Sequence, residues 1–390
     1  MPRAKKEYCT TVYVNTVNKK PIRKFVRAKS QRELNEKIRK LKAQIDDNKD
    51  VYTRACFGVW ADKWLNEVKI PSGISAGTLT QYKSAIAHIN REFEFVELKE
   101  IRLSDFNRFM LELADNNPNT DKPMSKRSLE NIKKVACAVF RYAISNNIAG
   151  VTDFFGSVII PKAAPQKERR ALTEAEQQWI IETEHRAQVP AMIMMFSGLR
   201  RGEVIPLLWS DIDLNKGFIS VSKSVEFVSN KATTKQGGKS ANAVRLIPIP
   251  SILVDFLKEY KANCKVLSKY VCLNARGNMH TKSSWRKMWE SYLLDLNMKY
   301  GYDEKVLNKH NPKYQTLPMR IENITPHYLR HTFATLLYLQ GVNVVTAKQL
   351  LGHADISTTV NIYTDLEHFN KNTLSAEYTN KLKNEYRIPA

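Results

Sequence analysis

Apolar residues along this chain recur mostly at helical spacing, and the exceptions are short. Residues 8–14 and 22–27 are rich in β-branched and aromatic side chains, and Asn18-Lys19-Lys20-Pro21 between them reads as a turn, so the pattern predicts a hairpin. Ser30 followed by Glu33 has the form of a capping box, after which Leu34, Ile38, Leu41 and Ile45 share one helix face. From Phe57 the pattern is purely helical. Phe57, Trp60, Trp64 and Val68 mark one stripe, and Leu79, Tyr82, Ile86 and Ile89 another. A third helix is expected from Ser104 through Phe106, Phe109, Met110 and Leu113, and a fourth from Ser128 through Ile132, Val135, Val139 and Ile144. Aromatic residues at this spacing are core by default.

A break follows. Ile159-Ile160-Pro161-Lys162-Ala163-Ala164-Pro165 and the charged Gln166-Lys167-Glu168-Arg169-Arg170 have the composition of a linker. Thr173 with Glu176 forms a second capping box and opens a new helical region. Residues 218–227 and 244–249 read as strands around a polar turn, and from Thr325 the pattern returns to helix. The expected fold is therefore multidomain. It comprises a small β-sheet-plus-helix module at 1–52, an all-α domain at 55–158, a linker at 159–170, a mainly α domain with a small antiparallel sheet at 171–367, and a tail at 368–390.

Composition narrows the partner. The 390 residues carry 61 Lys+Arg against 39 Asp+Glu, a formal net charge of +22. The first 50 residues alone hold 15 basic and 6 acidic side chains. An excess of this size on a chain that can bury a core points to a polyanion, above all nucleic acid, through phosphate neutralisation. A merely solvated charged surface is the plain alternative. No apolar run approaches the roughly 20 residues of a membrane span, and no apolar stretch follows the start as a secretory signal requires. Five scattered cysteines, Cys9, Cys56, Cys137, Cys264 and Cys272, fit neither a disulfide framework nor a zinc site, so a reducing, cytoplasmic setting is expected.

Three short segments can carry chemistry. Ser197-Gly198-Leu199-Arg200-Arg201-Gly202-Glu203 interrupts an apolar helix; Gly-Leu-Arg at such a break can fix a guanidinium, with Glu203 three residues on to pair with Arg200. A structural ion pair would look the same. In Thr325-Pro326-His327-Tyr328-Leu329-Arg330-His331, Thr325 suits the N-cap and Pro326 the first helical position. His327 and Arg330 then share a face near a helix N-terminus, which favours an anion, and the arginine fork matches two phosphate oxygens. A metal pair of His327 and His331 lacks the neighbouring Glu and a third ligand. Finally, Leu350-Leu351-Gly352-His353 ends a helix at a glycine, and Tyr363 stands ten residues beyond His353. A lone tyrosine is usually a core residue. Two arginines, two histidines, a lysine-bearing hairpin and a tyrosine together suit phosphoryl transfer by a protein nucleophile, whose developing charge needs fixed cations.

These segments in this order, with Ile362-Tyr363-Thr364 and with Lys239-Ser240-Ala241-Asn242-Ala243-Val244-Arg245-Leu246-Ile247-Pro248 as a hairpin whose lysine lies six residues before an arginine, resemble the tyrosine recombinases, or phage integrases, most closely those of conjugative transposons and phages. The catalytic resemblance covers about half the chain. One departure is Asp365, where the family often has histidine. The resemblance implies a site-specific recombinase that integrates and excises a mobile element. In it Tyr363 attacks a DNA phosphodiester to form a 3′-phosphotyrosyl link, Arg200 and Arg330 hold the phosphate, and Lys239 protonates the leaving 5′-oxygen, with Lys235 in the same turn as the alternative. His327 and His353 position the phosphate and manage the tyrosine proton, and Glu203 supports Arg200. It implies no metal and no other cofactor. The N-terminal module becomes an arm-type DNA-binding domain and 55–158 a core-binding domain, with Arg23, Lys24, Arg27, Lys126, Arg127 and Lys133 as candidate DNA contacts. The implied partners are double-stranded DNA at core and arm sites, three further copies in a tetramer on two duplexes, with the tail on a neighbouring subunit, and an accessory excision or DNA-bending factor; no membrane is involved. A bacterial or phage-encoded cytoplasmic protein is expected. The alternatives are a topoisomerase-like strand relaxer using the same chemistry and a non-catalytic DNA-binding or architectural protein that retains the fold.

Overall fold

The structure, a computed structural model, describes residues 8–17, 20–28, 30–46, 55–148, 150–161, 170–228, 230–237, 244–264, 266, 268–302, 318–353 and 355–369. The chain falls into two compact units, Met1–Lys167 and Glu168–Ala390.

The first unit opens with an antiparallel pair, β1 (Tyr8–Val17) and β2 (Lys20–Ala28), running from Tyr8 opposite Ala28 to Val17 opposite Lys20 with one irregularity between Tyr13 and Asn15. Both strands run longer than the apolar pattern predicts, because ladder pairing continues through Thr16 and Pro21; Asn18 and Lys19, half of the predicted turn, lie outside the described residues. α1 (Gln31–Asp46) follows, its first turn held by the Glu33 amide donating to the Ser30 hydroxyl at 3.2 Å. Val26, Ala28 and Leu34 are buried between helix and hairpin.

The rest of this unit is helical. α2 (Phe57–Lys63) continues into a π-helical turn, Trp64–Lys69, and is followed by α3 (Ala76–Phe93), α4 (Leu103–Asp115) and α5 (Lys126–Ser145). Two starts differ from expectation. α4 begins at Leu103, with Arg102 as its extended N-cap, so Ser104 sits inside the first turn. α5 begins at Lys126 because the Ser125 hydroxyl accepts the Ser128 amide at 3.3 Å; Ser128 is the capped residue and Ser125 the cap. The predicted stripes form the core, except that Ile144 at the end of α5 is exposed; within it Phe106 and Phe140 meet Phe155 edge to face at 5.1 and 5.0 Å.

In the second unit α6 (Glu174–Glu182) starts at the predicted Thr173–Glu176 capping box, both bonds of which form. Every residue of α7 (Gln188–Ser197) is buried, so it is the unit's central helix. α8 (Arg201–Val204) is a single turn beyond it. The predicted strand 218–227 is two strands in separate sheets. β4 (Phe218–Val221) lies between β3 (Ile212–Asp213) and β7 (Arg245–Pro248), whereas β5 (Lys223–Val228) pairs only with β6 (Lys231–Gln236). All these pairings are antiparallel. The break falls at Ser222, and Lys223 is anchored there by both oxygens of Asp211 at 2.8 Å. α9 (Ser251–Asn263), α10 (Lys282–Gly301), α11 (Pro326–Leu339), α12 (Val344–Leu351) and α13 (Ser357–Phe369) complete the unit. α11 packs along α7, and one continuous core joins α7, α10 and α11 to β4 and β7. The protein is thus mainly helical with small antiparallel sheets. Among the described residues no helix is long and apolar enough to cross a membrane, and Cys56, Cys137, Cys264 and Cys272 carry free thiols.

Candidate active site

The site is built on the C-terminal end of α12. This helix starts at Asn343, whose side chain accepts the Thr346 amide at 2.9 Å, and stops at Gly352 in the left-handed region, φ +64°. That turn sends the amides of Gly352 and His353 back to the carbonyls of Gln349 and Lys348 at 3.0 and 3.1 Å. Each of the next three carbonyls is taken by a different arginine. Arg245 Nε donates to Leu350 O at 2.8 Å, Arg330 Nη2 to Leu351 O at 2.5 Å, and Arg200 Nη2 to Gly352 O at 2.8 Å. The negative end of a helix dipole favours cations at this point.

The three arginines come from three parts of the unit. α7 ends at Gly198, also left-handed at φ +64°, and this turn delivers Arg200 to the start of α8. Arg330 projects from α11, only 7% exposed, and its second nitrogen donates to Gly198 O at 2.6 Å. Burial, together with the charge of Arg200, opposes its ionisation, and Glu203 favours it; an arginine nonetheless keeps its charge in proteins. Arg245 arrives on β7. Glu203 binds two of the three: Oε1 accepts from Arg200 Nη1 (3.0 Å) and Arg245 Nη1 (3.2 Å), and Oε2 from the Arg200 amide (2.9 Å) and Arg245 Nη2 (2.9 Å). Burial raises the Glu203 pKa, but Arg245 and then Arg200 outweigh it and hold the carboxyl below its ordinary value.

His353 follows directly. Its Nδ1 lies 2.8 Å from the hydroxyl of Thr359, which is fully buried. Burial, then the charges of Arg330 and Arg200, push its pKa down to about 3, so the ring is neutral at pH 7. Tyr363 is half-buried on α13. Its hydroxyl donates to Val342 O at 3.2 Å, its ring meets Tyr338 edge to face at 5.1 Å, and burial pushes its pKa up to about 12. His327 is exposed in the first turn of α11, below the Thr325 cap and the predicted Pro326. Among the described residues no group of three or more His, Cys, Asp or Glu side chains is placed to hold a metal ion.

The remaining candidates divide. Lys239 lies outside the described residues. Lys235 sits on β6 opposite Ser224, largely exposed and paired with Glu226 at 2.6 Å. In the first unit Lys126 and Arg127 are exposed in the first turn of α5, whereas the Lys133 ammonium donates to Val158 O at 2.8 Å and ties α5 to the segment after it. Arg23, Lys24 and Arg27 lie on β2 opposite Tyr13, Val12 and Cys9; their side chains are outside the described residues. The structure therefore gathers Arg200, Glu203, Arg330 and His353 around one helix end, and it adds Arg245, which the sequence offered only as a spacing mark before Ile-Pro. Thr359 had no signal at all, since a threonine two turns from a histidine carries none.

The phage integrase family model matches residues 165–369, the greater part of the second unit. A tyrosine recombinase XerC-like protein of Caldanaerobacter subterraneus subsp. tengcongensis is 27% identical over 92% of each chain. The tyrosine recombinase XerA of Thermococcus kodakarensis is 31% identical over 67% of this chain and 79% of its own. Among solved structures, the Tn1549 transposon integrase in complex with transposon right end DNA superimposes with a TM-score of 0.62 at 19% identity, covering 80% of this chain and 99% of that one. A lambda integrase tetramer bound to a Holliday junction gives 0.52 at 17% identity, over 86% and 91%. A family model matching more than half of the chain, together with a relative of this identity, defines the class: the chain belongs to the phage integrase family. It is a tyrosine recombinase, an enzyme of site-specific recombination that cleaves and rejoins DNA.

Proposed function

We propose that Tyr363 is the nucleophile of this reaction and that Arg200 and Arg330 at the end of α12 form its phosphate site. The phenolic oxygen attacks phosphorus, the bond to the 5′-oxygen breaks, and a 3′-phosphotyrosyl link remains. Lys239 supplies the proton that the leaving 5′-oxygen takes up, with Lys235 as the alternative donor. Arg200 and Arg330 meet the non-bridging oxygens, Glu203 steadies Arg200, and His327 and His353 place the phosphate and handle the tyrosine proton. The bond energy is kept in the link, so a second 5′-hydroxyl reverses the step and exchanges strands. The observation that carries the reading is the run of three consecutive carbonyls, Leu350, Leu351 and Gly352, each held by a different arginine. Guanidiniums fixed before the phosphate arrives need no reorganisation when charge develops on it.

The wider assignment rests on the domain plan and on the neighbours. Residues 1–52 serve as an arm-type DNA-binding domain, 55–158 as the core-binding domain, 171–367 as the catalytic domain and 368–390 as a tail packing on the next subunit. The assembly is a tetramer on two duplexes, in a bacterial or phage-encoded cytoplasmic protein that integrates and excises a mobile element with an accessory DNA-bending factor. The Tn1549 and lambda integrase complexes support this plan by analogy of fold. The test is a covalent trap on nicked DNA fragments flanking the protein's own gene, resolved on a denaturing gel. Wild type is expected to give a metal-independent adduct and Tyr363→Phe none. An adduct that survives in Tyr363→Phe moves the nucleophile elsewhere.

A further inference from the structure

Arg245 is set apart from Arg200 by its burial and from Arg330 by its pairing with Glu203. Its side chain is 7% exposed, against 40% for Arg200, and all of its contacts lie within the protein: Leu350 O through Nε and both oxygens of Glu203 through Nη1 and Nη2. The guanidinium also lies directly under the Gly352 turn, where a Cβ on that glycine would stand 2.9 Å from Nη1 and 3.0 Å from Cζ. A buried ion pair of this kind is weak evidence for added stability, because desolvating two charges offsets their attraction. A role in the reaction accounts for it better. We propose that Arg245 is a positioning residue for DNA cleavage, which takes up the charge of Glu203 so that Arg200 keeps its own positive charge for the phosphate.

The charge balance carries this inference. Two guanidiniums share one carboxylate, so the group retains one positive charge, and its exposed member is Arg200. The four donors fill the acceptor positions of Glu203. Without Arg245 two of those positions open. Arg200 already places its amide on Oε2 and Nη1 on Oε1, so its guanidinium is drawn into full pairing with Glu203 and its charge is cancelled. The Leu350 carbonyl loses its donor at the same time.

The inference rests on the recombinase reading above, and the experiment keeps the two apart. Adduct formation is followed in single turnover at saturating nicked DNA, and affinity is measured separately, for wild type, Arg245→Met, Arg245→Lys and the double variant Arg245→Met/Glu203→Gln. Arg245→Met is expected to slow cleavage about 100-fold, as losing one fixed donor at a charged transition state does, with affinity little changed. The double variant recovers at least about tenfold, because a neutral amide in place of the Glu203 carboxylate returns the charge of Arg200. Arg245→Lys, which keeps the cation on Glu203, also cleaves faster than Arg245→Met. A purely structural bolt predicts that cleavage and melting temperature fall and recover together, since neutralising Glu203 relieves its unpaired buried charge; the positioning role predicts slow cleavage by Arg245→Met at temperatures where it stays fully folded. Wild-type cleavage by Arg245→Met, or a double variant no faster than the single one, overturns the positioning role. A wild type that forms no adduct overturns the recombinase reading itself.

Discussion

Replacing Gly198 with alanine tests the frame that aims Arg200 and Arg330. The residue closes α7 at φ +64°, where a side chain costs about 1–2 kcal/mol. A Cβ there would lie 2.3 Å from Cδ1 of Phe333, with Cε1 and Cγ at 3.0 and 3.1 Å. Phe333 belongs to α11 and is 3% exposed in the core, so the ring has no room to turn away. Overpacking of this kind costs typically about 1–3 kcal/mol. The sum is about 2–5 kcal/mol, which for a unit of this size lowers its melting temperature by about 4–20 °C. Catalysis should suffer as well, since Gly198 O accepts from Arg330 and a shifted turn moves both arginines. The control is Gly202→Ala, where the nearest atom is Val225 O at 3.9 Å and the helical glycine gains by substitution. Differential scanning calorimetry of the two variants decides the matter. If Gly198→Ala melts within a degree or two of Gly202→Ala, the close packing of α7 on α11 does not govern this turn and the argument fails.

Three further outcomes are expected. His353, with a folded pKa of about 3 against an ordinary value near ~6.5, contributes stability that is complete above the ordinary value and lost as pH falls toward the folded one. NMR titration of the free protein should find its ring neutral at pH 5, and a midpoint near ~6.5 would contradict the buried, cation-flanked setting. Arg330→Lys cannot reach Gly198 O and Leu351 O together, so adduct formation should drop by about 100-fold or more while DNA binding persists; equal rates for the two proteins would remove Arg330 from the phosphate site. DNA affinity should fall linearly with salt on logarithmic axes, by a slope of about 0.9 per phosphate neutralised, and a flat dependence would show that the +22 charge serves some other purpose.

Much of this was legible in the sequence because it depends on residues close together in the chain. Helical stripes such as Phe57-Trp60-Trp64 reach the core, the Thr173–Glu176 box and the Thr325-Pro326 start cap their helices, and Gly198 and Gly352 end theirs in the left-handed turns that glycine allows. Local patterns failed where two neighbours could do one job: Ser125 and Ser128 both suit a cap, and only the backbone shows which hydroxyl accepts. The apparent strand 218–227 hid a change of sheet at Ser222, because β-branched composition does not say which partner strand is found.

The sequence by itself determined the order of chemical groups and the local turns that present them. It placed Arg200 after a glycine break, Arg330 one turn inside a capped helix, and His353 just past a glycine stop. It could not determine that Arg200, Arg245 and Arg330 bind three successive carbonyls of one helix end, or that Arg200 and Arg245 share one carboxylate. Those carbonyl bonds join residues 21 to 152 positions apart. Which carbonyls stand at the end of α12 follows from its own turn; which cations come to them is settled only when α7, α11 and β7 pack into one core.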